Sequence, residues 1–250
     1  MLITLTTDIG WEYAAQMKGV ILSINPMARI IDVSHEIERQ NIRQGAFVLY
    51  SIAPYFKNAI HVGVVDPTVG TERKAIILKC KSSYFIGPDN GMLIPAAKRI
   101  GIEKIYEIEY EKEKVSSVFH GRDVFSPAAA KLSLGMKVGK EINEYVDLDF
   151  GKPFCIGKKV IGKILFIDKF GNIITNIRKN DLKGKKFEIR IGKKEEKVQL
   201  HPSYGYVEEG EILAVIGSAG YLEIAIRNGN AASYFNARQD DEIEIQGIKS

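Results

Sequence analysis

Hydrophobic runs in the first half of the chain alternate with segments whose apolar residues recur at helical spacing. Leu2 to Thr6 is rich in β-branched residues and halts at Asp8-Ile9-Gly10, the pattern of a buried strand that opens into a loop. Tyr13 to Ile24 follows, with Met17, Val20, Ile21 and Ile24 on one helical stripe and Asn25-Pro26 as its stop. Ala28 to Val33 predicts a second strand, and Asn41 to Ala53 a helix halted by Pro54. Ala59 to Val65 predicts a third strand that runs into Asp66-Pro67. Ala75 to Lys79 and Tyr84 to Gly87 predict a strand pair, and Ser126 to Leu134 a helix begun at Pro127. This alternation predicts an α/β N-terminal domain with a largely parallel sheet.

The texture changes near residue 150. Gly151-Lys152-Pro153 punctuates the chain, and short β-rich segments broken by Gly, Asn and Lys follow. Ile161 to Asp168, Phe187 to Ile191, Glu211 to Val215 and Glu242 to Gln246 predict strands of a smaller, mostly β domain, barrel-like or sandwich. The expected division is 1–152 for the α/β domain, 160–250 for the β domain and a linker at about 153–159.

Composition narrows the function classes. With 45% hydrophobic and 26% charged residues, the 250-residue chain has the balance of a soluble globular protein. No apolar run approaches the roughly 18–20 residues that span a bilayer, and the first residues lack a signal-peptide pattern, so a cytoplasmic protein is expected. A net charge of +4 is too small to announce a nucleic-acid surface. The lysine clusters at 158–159, 183–186 and 193–194 read as solvated loops and edge strands. Cys80 and Cys155 are far apart and cannot build a zinc site alone; both are expected to be buried small hydrophobes. Phosphate-cradling loops and serine-hydrolase elbows are missing, so no metal or cofactor is expected.

Four segments place polar groups where a core does not need them. Asp8 stands at the carboxyl end of the first strand, where open α/β sheets bind ligands. It can accept hydrogen bonds from a ribose diol, or simply cap the next helix. Asp66 ends the third strand the same way, and Arg73 returns close enough for an ion pair; a stapled loop explains this equally well. Phe119-His120-Gly121-Arg122-Asp123 offers a proton-handling histidine, although Asp123 can also pair with Arg122 or cap the helix at Pro127. In the β domain, Asp168-Lys169-Phe170-Gly171-Asn172 and the turn around Ser218 set an aromatic beside an amide, suited to stacking on a purine and reading its edge or to plain turn chemistry.

Taken in order, these segments resemble the S-adenosylmethionine hydroxide adenosyltransferase family, or SAM hydrolases, relatives of fluorinase and chlorinase. The likeness also runs through Met17-Lys18-Gly19-Val20-Ile21, Gly87-Pro88-Asp89-Asn90-Gly91 and Gly220-Tyr221-Leu222-Glu223-Ile224-Ala225. It implies hydrolysis of SAM to adenosine and L-methionine, with water displacing methionine from ribose C5′. It implies Asp66, Arg73 and His120 as the catalytic set and Asp8 as the ribose carboxylate. Thr68, Asp168, Phe170, Asn172, Ser218 and Asn228 fall among the substrate-binding positions. The implied assembly is a homotrimer with the ligand at subunit interfaces, without nucleic-acid or membrane partners.

Two departures matter. Ile9 replaces the family's usual aromatic after the first Asp. Halogenases carry Tyr-Ser where this chain has His120-Gly121 and lack an acid at Asp66, which puts this sequence on the water-using branch. Ala219 stands where halogenases carry an arginine for the methionine carboxylate, so that carboxylate has no assigned partner. A SAM-dependent 5′-halogenase and a non-catalytic SAM or adenosine sensor are the competing readings. The resemblance leaves the proton acceptor open between Asp66 and His120, because an arginine beside a carboxylate keeps it ionised and a weak base.

Overall fold

A computed structural model describes residues 1–248. They divide into two compact units, Met1–Asp149 and a second beginning at Phe150. The first unit runs β1 (Leu2–Thr7), α1 (Gly10–Ile24), β2 (Arg29–Ser34), α2 (Ile42–Ile52), β3 (Ala59–Val64), β4 (Ala75–Cys80), β5 (Ser83–Pro88), α3 (Ile94–Ile100), β6 (Ile102–Glu107), α4 (Ser126–Ser133) and β7 (Lys140–Ile142). Its seven strands form one sheet in the order β2-β1-β3-β5-β4-β6-β7. The first four are mutually parallel, and β4, β6 and β7 are added antiparallel.

Both faces of this sheet are covered, so its central strands read as apolar runs rather than alternating ones. Ile3, Leu5, Ile60 and Val62 pack with Met17 and Ile21 of α1 and Ala128 and Ala129 of α4. On the opposite face, the space a side chain at Gly63 would fill is taken by Leu49 of α2 and Leu93 beside α3. Helix α1 begins at Gly10, three residues before the expected start. Short α3 and the charged β6 (sequence Ile-Glu-Lys-Ile-Tyr-Glu) went unpredicted, because neither carries a sustained apolar period.

That second face buries a polar pair. His61 and Thr4 are fully buried, with His61 Nδ1 2.8 Å from Thr4 Oγ1 and the ring stacked on Phe85. His61 Nε2 has no hydrogen-bond partner among the described residues. Burial pushes the imidazole pKa from 6.5 down to about 4. As pH falls through 6.5 the unfolded chain takes up a proton that the folded chain refuses, so stability falls toward pH 4 by on the order of 3 kcal/mol. Urea melts from pH 6.5 down to about 5, above the main carboxylate range, should show this slope in the parent and a flattened one in His61→Leu. Equal slopes in the two proteins would exclude His61 as the cause.

The second unit runs β8 (Phe154–Ile156), β9 (Lys159–Ile167), β10 (Ile173–Arg178), β11 (Lys186–Ile191), β12 (Lys194–Gln199), β13 (Ile212–Ile216), β14 (Tyr221–Ile226), α5 (Ala231–Phe235) and β15 (Glu242–Gly247). Seven strands run in the order β12-β11-β15-β9-β10-β14-β13, all antiparallel, and β8 pairs with β9 off that path. A bridge between Leu200 and Ala214 joins the two ends, giving a nearly closed barrel around Phe187, Ile189, Ile224 and Ile245.

The segment 153–159 is not open linker: Phe154–Ile156 forms a hairpin with the start of β9. Cys80 is buried as expected, but Cys155 is exposed, because β8 is a short strand whose three residues all face solvent. The lysine-rich segment around Lys194 is the end strand β12, consistent with charge that discourages sheet-to-sheet pairing. Among the described residues no helix is long and apolar enough to cross a membrane.

Candidate active site

Strand order locates the first cleft. From β1 the chain passes to β2 on one side and then returns to β3 on the other, so the connections diverge at the β1–β3 boundary. In open α/β sheets that divergence leaves a crevice at the carboxyl ends. Thr7 pairs with Val64 in this register, so Asp8 and Asp66 emerge side by side just beyond the sheet. Asp8, Asp66 and His120 line one cleft of about 270 Å³, walled by Ile9, Val64, Val69, Val118 and Phe119, with Arg39 and Gln40 at its margin.

Each wall has a local cause. Asn90 donates its Nδ2 to Val65 O at 2.8 Å, which holds the chain immediately before Asp66 and explains the Gly-Pro-Asp-Asn-Gly segment. Gly70 has φ +78°, and a Cβ there would lie 2.3 Å from Ser117 O. Only glycine lets the 66–73 loop lie this close to the segment leading to His120. After His120, residues Gly121–Phe125 make a single π-helical turn that feeds directly into α4. Such turns are costly and often mark functional sites.

The Asp66 and Arg73 side chains are 6% and 7% exposed and bound bidentately: Nε lies 3.1 Å from both carboxylate oxygens, and Nη2 also donates to Oδ2. Arg73 Nη2 also lies 2.8 Å from His120 Nδ1. A guanidinium has no acceptor, so Nδ1 must offer its lone pair and the imidazole proton sits on Nε2. Burial first, and the Arg73 charge second, push the His120 pKa down against the opposing pull of Asp66 and Asp123. His120 is therefore a neutral ring whose Nε2–H makes no hydrogen bond among the described residues. Tyr110 packs edge-on against it at 5.3 Å, and Arg73 lies over the Phe125 ring.

Asp8 does not cap α1, whose first turn has no side-chain cap. Its Oδ2 accepts the Gln40 backbone N–H at 2.8 Å. Thr68 is exposed outside the cleft lining and braces Asp66, with Oγ1 3.4 Å from Asp66 Oδ1. Asp123 neither caps the Pro127 helix nor enters the cleft. It pairs bidentately with Arg122 at 2.6 and 2.9 Å and accepts from Ser116 N, anchoring the segment before His120.

In the second unit, Asp168 organises its own turn. Oδ1 accepts from the Phe170 and Asn172 backbone N–H groups at 2.9 Å each, and Oδ2 from Asn172 Nδ2 at 2.9 Å. That leaves the Phe170 ring 70% exposed beside a buried Asn172. Ser218 is exposed on the tight turn between β13 and β14. Asn228 has φ +53° and donates to Glu209, which is turn chemistry. Two groups near Asp168 have no role in the sequence reading, although Glu223 falls in one of its motifs: buried Glu223 accepts from the Tyr204 hydroxyl at 2.7 Å, and burial raises the pKa of both. Glutamate inside an apolar strand pattern gave no signal of its own. Arg39 and Gln40 were missed for a different reason, since only the fold brings that loop to the cleft.

Fold and site together define an α/β protein with a polar, partly desolvated cleft at the carboxyl edge of its sheet, joined to a β-barrel unit. Family models for the SAM hydroxide adenosyltransferase N-terminal and C-terminal domains match residues 3–141 and 162–244. The chain belongs to that family. It is 42% identical to an (R)-S-adenosyl-L-methionine hydrolase of Methanocaldococcus jannaschii over 98% of this chain and 95% of the relative. A fluorinase of Nocardia brasiliensis is more distant, at 25% identity over 98% and 96%. The crystal structure of an uncharacterized conserved protein from Thermotoga maritima superposes with a TM-score of 0.91 at 40% identity, covering 99% of this chain and 100% of that one.

Proposed function

We propose that this protein hydrolyses S-adenosyl-L-methionine to adenosine and L-methionine by in-line attack of water on ribose C5′. The observation that carries the reading is that Asp66 and His120, tied together by Arg73, line the same cleft as Asp8. The leaving group is a neutral thioether, so no acid is needed on that side and the step demands no cofactor. What it lacks is an oriented nucleophile, and fixing a water about 3–3.5 Å from the carbon supplies several kcal/mol.

The hydrogen-bonding pattern supports the following division of roles. His120 Nδ1 is occupied by Arg73, so His120 offers the water an N–H through Nε2 and is not the proton acceptor. As the C5′–O bond forms and the C5′–S bond breaks, Asp66 takes a proton from the water and releases it to solvent, and the Arg73 charge steadies the negative charge that develops on the oxygen. Asp8, with Oδ1 left over from the Gln40 contact, takes the ribose hydroxyls. Phe170, Asn172, Asp168, Ser218 and Asn228, from the β unit of a neighbouring copy, supply the contacts to the adenine and the methionine ammonium. A cytoplasmic homotrimer belongs to the same proposal, and its mass in solution tests the assembly.

The halogenase alternative fits less well. A side chain at Gly121 would meet Met17 Sδ at 3.2 Å and Phe119 at 3.3 Å, leaving little room for a serine donor to halide. Chromatography after mixing the protein with each sulfonium epimer of SAM, with and without chloride, tests the reading. Adenosine plus methionine, formed preferentially from the R epimer specified in the relatives' names, is expected. Chlorinated nucleoside, or intact SAM retained for hours, would favour the halogenase or the sensor.

A further inference from the structure

Behind Asp8 lies a buried polar chain that the reaction as described leaves unused. Thr7, the residue before Asp8, is fully buried, and His35 is 1% exposed. His35 Nδ1 lies 2.9 Å from Thr7 Oγ1, and Nε2 lies 2.9 Å from Asp32 Oδ1. Lys18 donates to the other Asp32 oxygen at 2.9 Å. Burial works to raise the Asp32 pKa, but the hydrogen bonds from His35 and Lys18 outweigh it and hold the group below its usual value. Asp32 accepts from Nε2–H, and Nδ1 on the other side of the ring makes the hydrogen bond to the Thr7 hydroxyl.

This chain reaches the cleft through the loop that follows β2. The pairing of β1 with β2 shifts between Leu5 and Thr6, so that Thr6 pairs with Ser34 and His35 comes alongside Thr7. The loop is then tied down by Gly10 N to His35 O at 3.1 Å and Ile37 N to Thr7 O at 3.3 Å. Trp11 packs edge-on against the His35 ring at 4.8 Å. At the far end Gln40, held at φ +62°, delivers its N–H to Asp8 Oδ2. A non-glycine residue in that region needs its surroundings to hold it there.

We propose that His35 is a positioning residue for Asp8: through Thr7 and the 35–40 loop it keeps one carboxylate oxygen on the Gln40 N–H and the other turned to the ribose hydroxyls. The inference rests on the reading that Asp8 binds the ribose diol. Calorimetric affinities for adenosine and 2′-deoxyadenosine test both steps separately. The parent protein should prefer adenosine, and Asp8→Ala should lose that preference. His35→Phe and Thr7→Val should each erode it by about tenfold, the cost of a buried hydrogen bond left unmade. KM for SAM should rise with kcat nearly unchanged, and His35→Asn, whose amide sits close to the Nδ1 position, should restore part of the loss. In the Asp8→Ala background His35→Phe should add nothing. Thr7→Val keeps the β-branched shape and decides the matter if His35→Phe does not fold. Full ribose preference in His35→Phe or in Thr7→Val, with Asp8→Ala defective, would overturn the role of His35. An Asp8→Ala protein that still prefers adenosine would overturn the ribose reading of Asp8, and this proposal with it.

Discussion

Replacing Asp66 with asparagine should lower kcat for adenosine release by about a thousandfold or more, with adenosine affinity little changed. The carboxylate lines the cleft and is locked in place, because Arg73 grips it through two nitrogens. Asparagine keeps the shape and a hydrogen-bond acceptor but removes the charge, so an attacking water loses the anionic group that takes its proton. Asp66→Ala should be as inactive and also less stable, since it strands a guanidinium that is 7% exposed without its counter-ion. Steady-state rates together with adenosine titrations check this. Near-parental turnover in Asp66→Asn would remove Asp66 from the chemistry.

His120 carries the second large effect, and its direction separates two roles. As a donor through Nε2, His120 should be partly replaceable by glutamine, whose amide N–H reaches about as far from the backbone. His120→Ala should lose about a hundredfold in kcat, and His120→Gln clearly less. The pH profile gives an independent reading. Burial and Arg73 hold the imidazole pKa below its ordinary value, so the neutral donor persists through neutrality and kcat should be flat there. Activity should fall only in more acidic solution, where a proton on Nδ1 would confront Arg73. A rate that climbs with an ionisation near pH 6–7, and is abolished in His120→Gln, would instead make the histidine a base.

The parts of this fold that can be read from the chain are those where one local pattern dominates. Strands β1 and β3 are buried on both faces and appear as unbroken apolar runs, so their carboxyl ends, and the aspartates standing there, are visible in the order of residues. The barrel is harder. Strand β12 is largely lysine and glutamate because it is a terminal strand of the sheet, and β14 buries Glu223 on the face opposite the core residues Leu222 and Ile224, which hides its alternation. The seven-residue spacing of Asp66 and Arg73 suggests an ion pair without saying whether it is a staple or a site. What sets it apart from a plain staple is the contact with His120, 47 residues beyond Arg73, and no local pattern encodes a contact of that range. The choice between cap and ligand for Asp8 likewise turns on Gln40, whose left-handed backbone is set by its surroundings rather than its type. Of the motif residues, Asp123 proved to be an anchor, and Asn90 a brace for Asp66.

The central claim is that oxygen from solvent becomes bonded to C5′ of the adenosyl group as methionine departs. It is tested most directly by running the reaction in water enriched in the heavy oxygen isotope and weighing both products by mass spectrometry. One heavy oxygen in the 5′-hydroxyl of adenosine and none in methionine is the predicted result. Unlabelled adenosine, or label confined to methionine, would contradict it.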